Sequence, residues 1–218
     1  MGLSFDLFKD SDLDPCCDLY RPHLIALNKI ILDSNEPLEG NLFHFNLETP
    51  SLDEPDPRYQ YKRYNFGFFA LGGSRLLEIG FNAGHSALLA LTCNPDLVYV
   101  GVDMAYHAYT VPCYQYLRSV FGDRIQLNVG DSRIEVPKVR DFAKFDLIHI
   151  DGGHELDVPE SDLRNVTAMA SPGSRILFDD ITGPLLRILC DHYVVKGLIS
   201  EFRPACWKGI DQALFRIN

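Results

Sequence analysis

Several acidic positions and one histidine stand where this chain could do chemistry. Short apolar runs carry or end in Glu78, Asp103, Asp131, Asp151 and Asp179-Asp180. Carboxylates accept hydrogen bonds from hydroxyl or ammonium donors, and they ligate hard cations. Like charges crowded on one rim repel, so folding alone does not explain such a row. Neighbouring strands lie about 4.8 Å apart, which brings Asp151, Asp179 and Asp180 within reach of one another. Two bare charges at about 4 Å repel by roughly 4 kcal/mol at an effective dielectric of 20. Either a cation neutralises them, a proton is taken up, or they point apart. An all-oxygen set selects Mg²⁺, Ca²⁺ or Mn²⁺ over zinc. Asp179 and Asp180 can share an ion only if their strand ends between them, because successive strand residues face opposite sides. Otherwise Asp180 serves as a cap for the next helix.

His154 follows Asp151-Gly152-Gly153, where two glycines make a turn expected to suit glycine alone. An imidazole with an ordinary pKa near 6.5 suits proton removal from a hydroxyl, so His154 is the candidate general base. His149 lies inside a strand and reads as a core residue.

The chain is organised around Arg75 to Ala87. An apolar run meets Glu78, then Gly80, Asn82 and Gly84, then residues that can start a helix. Gly80 permits a tight turn, and Gly84 lets a ligand or the sheet approach the helix start. Asn82 stands where the dinucleotide fingerprint has its second glycine, so a pyrophosphate is not the expected ligand. Asp103 comes 19 residues after Gly84. An acid about 20 residues past a glycine turn accepts hydrogen bonds from ribose hydroxyls.

Elements that could position these groups alternate along the chain. Strands are expected over the apolar run from Arg75 that ends in Glu78, and at 98–103, 125–129, 145–151, 175–179 and 213–217. Helices are expected at 114–121, 162–169 and 185–195. This order implies an α/β fold, doubly wound, with a mostly parallel sheet and helices on both faces. Ligands then sit beyond the carboxyl ends of the strands, at the switch in strand order. Upstream, Pro22 to Asp33 reads as a helix with Pro22 in its first turn. Asp53 to Pro57 reads as a linker. A helix over 59–71 carries Tyr61, Tyr64, Phe68 and Phe69, which either pack or line one wall of the substrate pocket. Residues 1–57 thus form an N-terminal helical cap and 58–218 the ligand-binding domain.

The 218 residues carry a net charge of -10, which disfavours a nucleic-acid backbone as partner. Mean hydropathy is -0.05, and no apolar run is long enough for a membrane span. The start, Met1 to Asp14, is acidic and lacks the basic opening of a signal peptide. Six scattered cysteines form no C-x-x-C pair and read as reduced, mostly buried thiols of a cytoplasmic protein.

Arg75 to Ala87 resembles motif I of the class I S-adenosylmethionine (SAM)-dependent methyltransferases, and the likeness extends over about Tyr64 to Asn218. Asp151-Gly-Gly-His154, with Asp179-Asp180 after the next strand, resembles a small-molecule subgroup of that family. The resemblance implies a seven-stranded sheet and SAM as methyl donor. It places Glu78, Gly80, Phe81, Asn82, Gly84, His85 and Ser86 around the amino-acid end and the loop. It gives Asp103 the ribose and Met104 the adenine face. Asp131 would take the adenine amino group with Ser132 beside it, unless these two only cap the next helix. Asp151 would contact the donor and, with His154, take part in catalysis. Some relatives bind a divalent cation such as Mg²⁺ through acids matching Asp151, Asp179 and Asp180. Several carry a further acid as base where this chain has Gly153.

The expected partner is a small-molecule acceptor with a hydroxyl, its pocket shaped by the cap and by loops near Asp157 and Trp207. Neither nucleic acid nor membrane is expected, and a homo-oligomer is left open. Three other readings compete: an N-methyltransferase, a SAM-binding module without turnover, and a cyclase that uses SAM as an electrostatic helper.

Overall fold

The computed structural model describes residues 17–44, 54–139, 141–153, 155 and 157–218. Met1 to Asp14, Cys16 and His154 lie outside them. Seven strands form one sheet: β1 (Arg75–Ile79), β2 (Val98–Asp103), β3 (Ile125–Val129), β4 (Leu147–Ile150), β5 (Arg175–Phe178), β6 (Ile199–Phe202) and β7 (Ala213–Ile217). Their order is β3-β2-β1-β4-β5-β7-β6, and β7 alone runs antiparallel to its neighbours. The chain leaves β1 toward β2 on one side and returns to β4 on the other. That reversal is the switch point, where the loops after β1 and β4 diverge and leave a crevice.

The seven α-helices among the described residues are α1 (Cys17–Ser34), α2 (Gln60–Leu71), α3 (His85–Cys93), α4 (Thr110–Phe121), α5 (Ser132–Glu135), α6 (Asp157–Met169) and α7 (Pro184–Val195). Strand alternation divides the core between two faces. Leu76, Tyr99, Ile125 and Leu147 pack with the apolar sides of α1 to α4. Leu77, Val100, Ile148 and Ile176 pack with α6 and α7. With both faces covered, the central strands β1, β2, β4 and β5 read as near-continuous apolar runs. The N-terminal helices share a core with the sheet.

Several boundaries differ from the sequence reading, among them the starts of α4 at Thr110 and of β4 at Leu147 and the end of β5 at Phe178. Helix α1 begins at Cys17, and Pro22 lies inside it instead of in its first turn. Tyr20 extends the buried stripe Leu24, Leu27, Ile31 by one turn, and this burial offsets the backbone bond that proline removes. Helix α6 begins at Asp157, five residues early, and β4 stops at Ile150. Strand β6 escaped notice because it is a four-residue edge strand whose Ser200 and Glu201 are exposed.

No helix among the described residues is long and apolar enough to cross a membrane. Cys93, Cys113 and Cys190 are buried, and burial pushes the Cys113 and Cys190 thiols up to about 12.

Candidate active site

A cleft of about 850 Å³ opens beyond the carboxyl ends of β1 to β5. That is near the upper end for small-molecule sites and leaves room for a donor and an acceptor together. Its walls are the loops after each of these strands, residues 39–42 of the N-terminal segment, and Tyr59 and Lys62 at the start of α2.

The loop after β1 is shaped by its glycines and by Asp103. Gly80 has φ +99°, and a Cβ there would lie 2.0 Å from the Asp151 carbonyl oxygen. Only glycine fits both demands. Asn82 also sits in the left-handed region, at φ 50°, which asparagine tolerates better than most residues. The backbone N–H groups of Phe81 and Asn82 both donate to Asp103 Oδ2 at 2.8 Å. Ala105 N–H donates to Oδ1 at 2.6 Å. Asp103 therefore spends three of about four acceptor positions on the loops and keeps one for a ligand. At Gly84, a Cβ would strike Phe81 Cζ at 2.5 Å and Leu117 Cδ1 at 2.7 Å. The space that Gly84 leaves is filled by these side chains, not by a ligand or the sheet.

Glu78 does not line the cleft. It is wholly buried beneath it, accepting from Ser86 Oγ at 2.7 Å, from the Tyr99 hydroxyl, and from His149 Nδ1 at 2.5 Å. It ties β1 to β2, β4 and α3, which fixes the loop above. Ser86 lines the cleft, but its hydroxyl proton goes to Glu78. His85 gives its ring Nε2 to Asn28 Oδ1 of α1 at 3.0 Å. Its ring Nδ1 is buried without a hydrogen-bond partner, and its backbone N–H, in the first turn of α3 and unused by the helix, is left to face a ligand.

After β3, Asp131 caps α5 by accepting from Arg133 N–H at 2.9 Å. The Arg133 guanidinium also grips its carboxylate and holds its pKa below the usual range. Asp131, Ser132 and Met104 border the cleft. Asp157 pairs with Arg133 at 2.6 Å, and Trp207 is buried with its indole N–H on the Gln212 carbonyl at 3.1 Å. The Trp207 loop therefore does not shape the cleft.

The turn after β4 departs from expectation. Neither Gly152 nor Gly153 has a left-handed φ, so backbone strain does not demand glycine at either position. Both border the cleft, and lacking side chains they keep its floor open. Burial pushes the Asp151 carboxyl well above its ordinary pKa, Asp179 adds to the shift, and His149 opposes it.

Asp179 and Asp180 do converge. β5 ends at Phe178, and Asp180 takes φ +52°, so the chain turns between them. Both Oδ1 atoms meet Lys62 Nζ, each at 3.1 Å. Burial works against the Lys62 charge, but the two carboxylates outweigh it and raise its pKa above the ordinary value. A divalent ion shared by Asp179 and Asp180 does not fit these residues, because an ammonium already bridges them. His149, Asp151 and Asp179 each offer one ligand atom within 4.8 Å of the others, yet that group abuts the same ammonium.

Sequence reasoning missed Lys62, Tyr59, Arg133 and residues 39–42 in this site. The one signal for Lys62 and Arg63 was a charged pair inside an aromatic helical run. The aromatics expected to line the pocket, Tyr61, Tyr64, Phe68 and Phe69, do not border the cleft, although Tyr59 does. Tyr64 and Phe69 are buried, and Tyr61 bonds Asp211.

The loop geometry and strand order can be set beside known proteins. Residues 77–181 match the family model of a methyltransferase domain. The matched segment runs from β1 through β5 and contains every loop that borders the cleft from the sheet side. Among curated proteins none matches the chain. Similar solved structures include an O-methyltransferase from Bacillus cereus in complex with SAH, at 16% identity and TM-score 0.63, covering 90% of each chain. A Klebsiella pneumoniae protein assigned as an O-methyltransferase has 19% identity and TM-score 0.61, again with 90% of each chain covered. An SAH-bound methyltransferase from Podospora anserina has 17% identity and TM-score 0.58, covering 75% of this chain and 82% of that one. At such identities the likeness establishes the fold, which is that of the class I methyltransferases.

Proposed function

We propose that this chain is a SAM-dependent methyltransferase acting on a hydroxyl of a small molecule. The observation that carries this reading is Asp103, which grips the Gly80 loop through Phe81 and Asn82 and keeps one acceptor position facing the cleft. The methyltransferase-domain match over residues 77–181 and the SAH held by two of the similar structures support it.

Bound SAM supplies an electrophilic methyl group on a sulfonium. The acidic cleft favours that cation and would disfavour a diphosphate. Asp103 accepts from the ribose, Met104 lies against the adenine, and Asp131 with Ser132 borders its amino edge. The loop over Gly80, Phe81 and Asn82, with the backbone of His85, holds the amino-acid end. Asp151 sits between donor and acceptor. As the new O–CH₃ bond forms, the S–CH₃ bond breaks and sulfur keeps the electron pair. His154 takes the hydroxyl proton. In-line positioning supplies much of the acceleration in such a transfer.

Calorimetric titration of the purified protein with SAM and with its demethylated product tests the reading. Saturable binding of both is expected. No binding of either would overturn it, and unchanged turnover in His154→Ala would remove the base.

A further inference from the structure

We propose that Lys62 takes the place of a divalent cation at the Asp179–Asp180 corner, so that the site works without metal. The link to methyl transfer rests on the function proposed above; the occupancy of the corner does not.

Lys62 is the third residue of α2, and its side chain is 10% exposed. It reaches across 117 residues of sequence to place Nζ 3.1 Å from Asp179 Oδ1, and the same distance from Asp180 Oδ1. The corner is built to converge there. Asp179 also accepts from the Asp180 N–H at 2.9 Å, and Asp180 holds a left-handed φ that aspartate adopts only at a cost. The carboxylates and the ammonium thus form a fixed unit, with the Tyr59 ring 5.5 Å from Nζ on its flank.

An oxygen-ligated divalent ion needs its carboxylate oxygens at about 2.0–2.6 Å. Reaching both Oδ1 atoms would put the ion in the space Nζ holds, so the lysine would have to leave. Expelling a buried ammonium from two carboxylates is unfavourable, and leaving it beside the ion sets like charges together. One ammonium already offsets one of the two charges of Asp179 and Asp180. An ammonium has three protons to donate, and two go to these bonds. Lys62 borders the cleft, so its fixed charge is presented beside the acceptor.

Titration with Mn²⁺ and Mg²⁺, with SAM and acceptor absent, tests this by calorimetry and by melting temperature. Wild type is expected to take up neither ion and to melt at the same temperature with or without EDTA. Lys62→Met is expected to melt lower, to bind Mn²⁺ at one site, and to recover much of its lost melting temperature when Mn²⁺ is added. Lys62→Arg is expected to behave as wild type toward metal. Should Lys62→Met not fold alone, refolding in Mn²⁺ is expected to restore it, and the wild-type titration decides independently. Saturable one-site Mn²⁺ uptake by wild type would overturn the proposal, as would a Lys62→Met protein indifferent to Mn²⁺. Because no SAM enters these titrations, a wild type that fails to bind SAM refutes the methyltransferase reading and leaves this one standing.

Discussion

Glu78 Oε1 and His149 Nδ1 lie 2.5 Å apart across the β1–β4 ladder, in register and with both side chains fully buried. Burial works against a charged His149, and the Glu78 carboxylate outweighs it, so the imidazole pKa is raised. The pair sits below the cleft floor and staples the two strands that flank the switch point.

Breaking a buried pair from one side leaves the other group uncompensated. Glu78→Gln is therefore expected to cost about 3–5 kcal/mol of stability. The Ser86 and Tyr99 hydroxyls also lose their charged acceptor. Urea unfolding measures the loss. SAM affinity of the folded fraction should change far less than stability, since Glu78 does not line the cleft. A variant as stable as wild type would refute the staple, and one that is stable but blind to SAM would restore direct contact.

Asp103 has two duties, and Asp103→Asn separates them from mere bulk. The amide keeps the shape but replaces one oxygen with a donor. Three N–H donors already face that carboxylate, so one of them must lose its partner. Hydrogen bonds to a charged group contribute about 1.5–3 kcal/mol, so SAM binding should weaken by roughly 10- to 150-fold. Calorimetry reads this directly. Wild-type affinity in Asp103→Asn and Asp103→Ala alike would remove Asp103 from the site.

Much of this was legible in sequence. Strands β2, β3 and β7 match their expected bounds; β2 is a mostly buried apolar run, β3 is an edge strand that alternates Ile125, Leu127 and Val129 with Gln126 and Asn128, and β7 is a mostly buried antiparallel strand. The positions of Gly80, Asp103, Asp151 and Asp179-Asp180 at the cleft followed from that register alone. What could not be read was who neutralises the acids. Asp131 is answered two residues away by Arg133, but Asp179 is answered by Lys62 from α2 and Glu78 by His149 from β4. Those partners are 117 and 71 residues distant, and no local spacing encodes them. The row of acids therefore reads as bare in sequence, whereas in the fold Glu78, Asp131 and the Asp179–Asp180 pair each meet a basic side chain and the cleft wall stays acidic. The double glycine misled for a similar reason, since its openness serves the cleft and not the turn.

Gly80 and Gly153 both border the cleft, but only one is bound by its surroundings. Gly80→Ala must adopt φ near +99° and place Cβ 2.0 Å from a backbone oxygen that cannot swing away. Strain of that kind costs about 1–3 kcal/mol before the clash is counted. Gly153→Ala meets nothing closer than Val158 Cγ1 at 3.7 Å, with no φ penalty. Its stability should stay within about 0.5 kcal/mol of wild type. Paired thermal melts test the contrast, and equal effects in the two variants would contradict the loop geometry.

Acid should weaken the attachment of α1 to the sheet domain through His44. Asn28 of α1 donates its amide N–H to His44 Nε2 at 3.0 Å and accepts from His85 Nε2 at 3.0 Å. A donor can face that nitrogen only if it carries no proton, so His44 is neutral. Burial, then the nearby Arg63 charge, lowers its pKa to about 4 against the pull of Asp56. Burial pushes His85 well below its usual value too. A depressed folded pKa means the unfolded chain binds the proton first as pH falls. The stabilisation is therefore complete above about pH 6.5 and declines as pH drops toward 4. A gap of that size corresponds to about 3 kcal/mol for His44. Urea unfolding of wild type and His44→Gln at about pH 7, 6 and 5 isolates the effect from the carboxylates, which both proteins share. Wild type should lose more stability than the variant over this range, and parallel losses in the two would show that His44 does not titrate with unfolding.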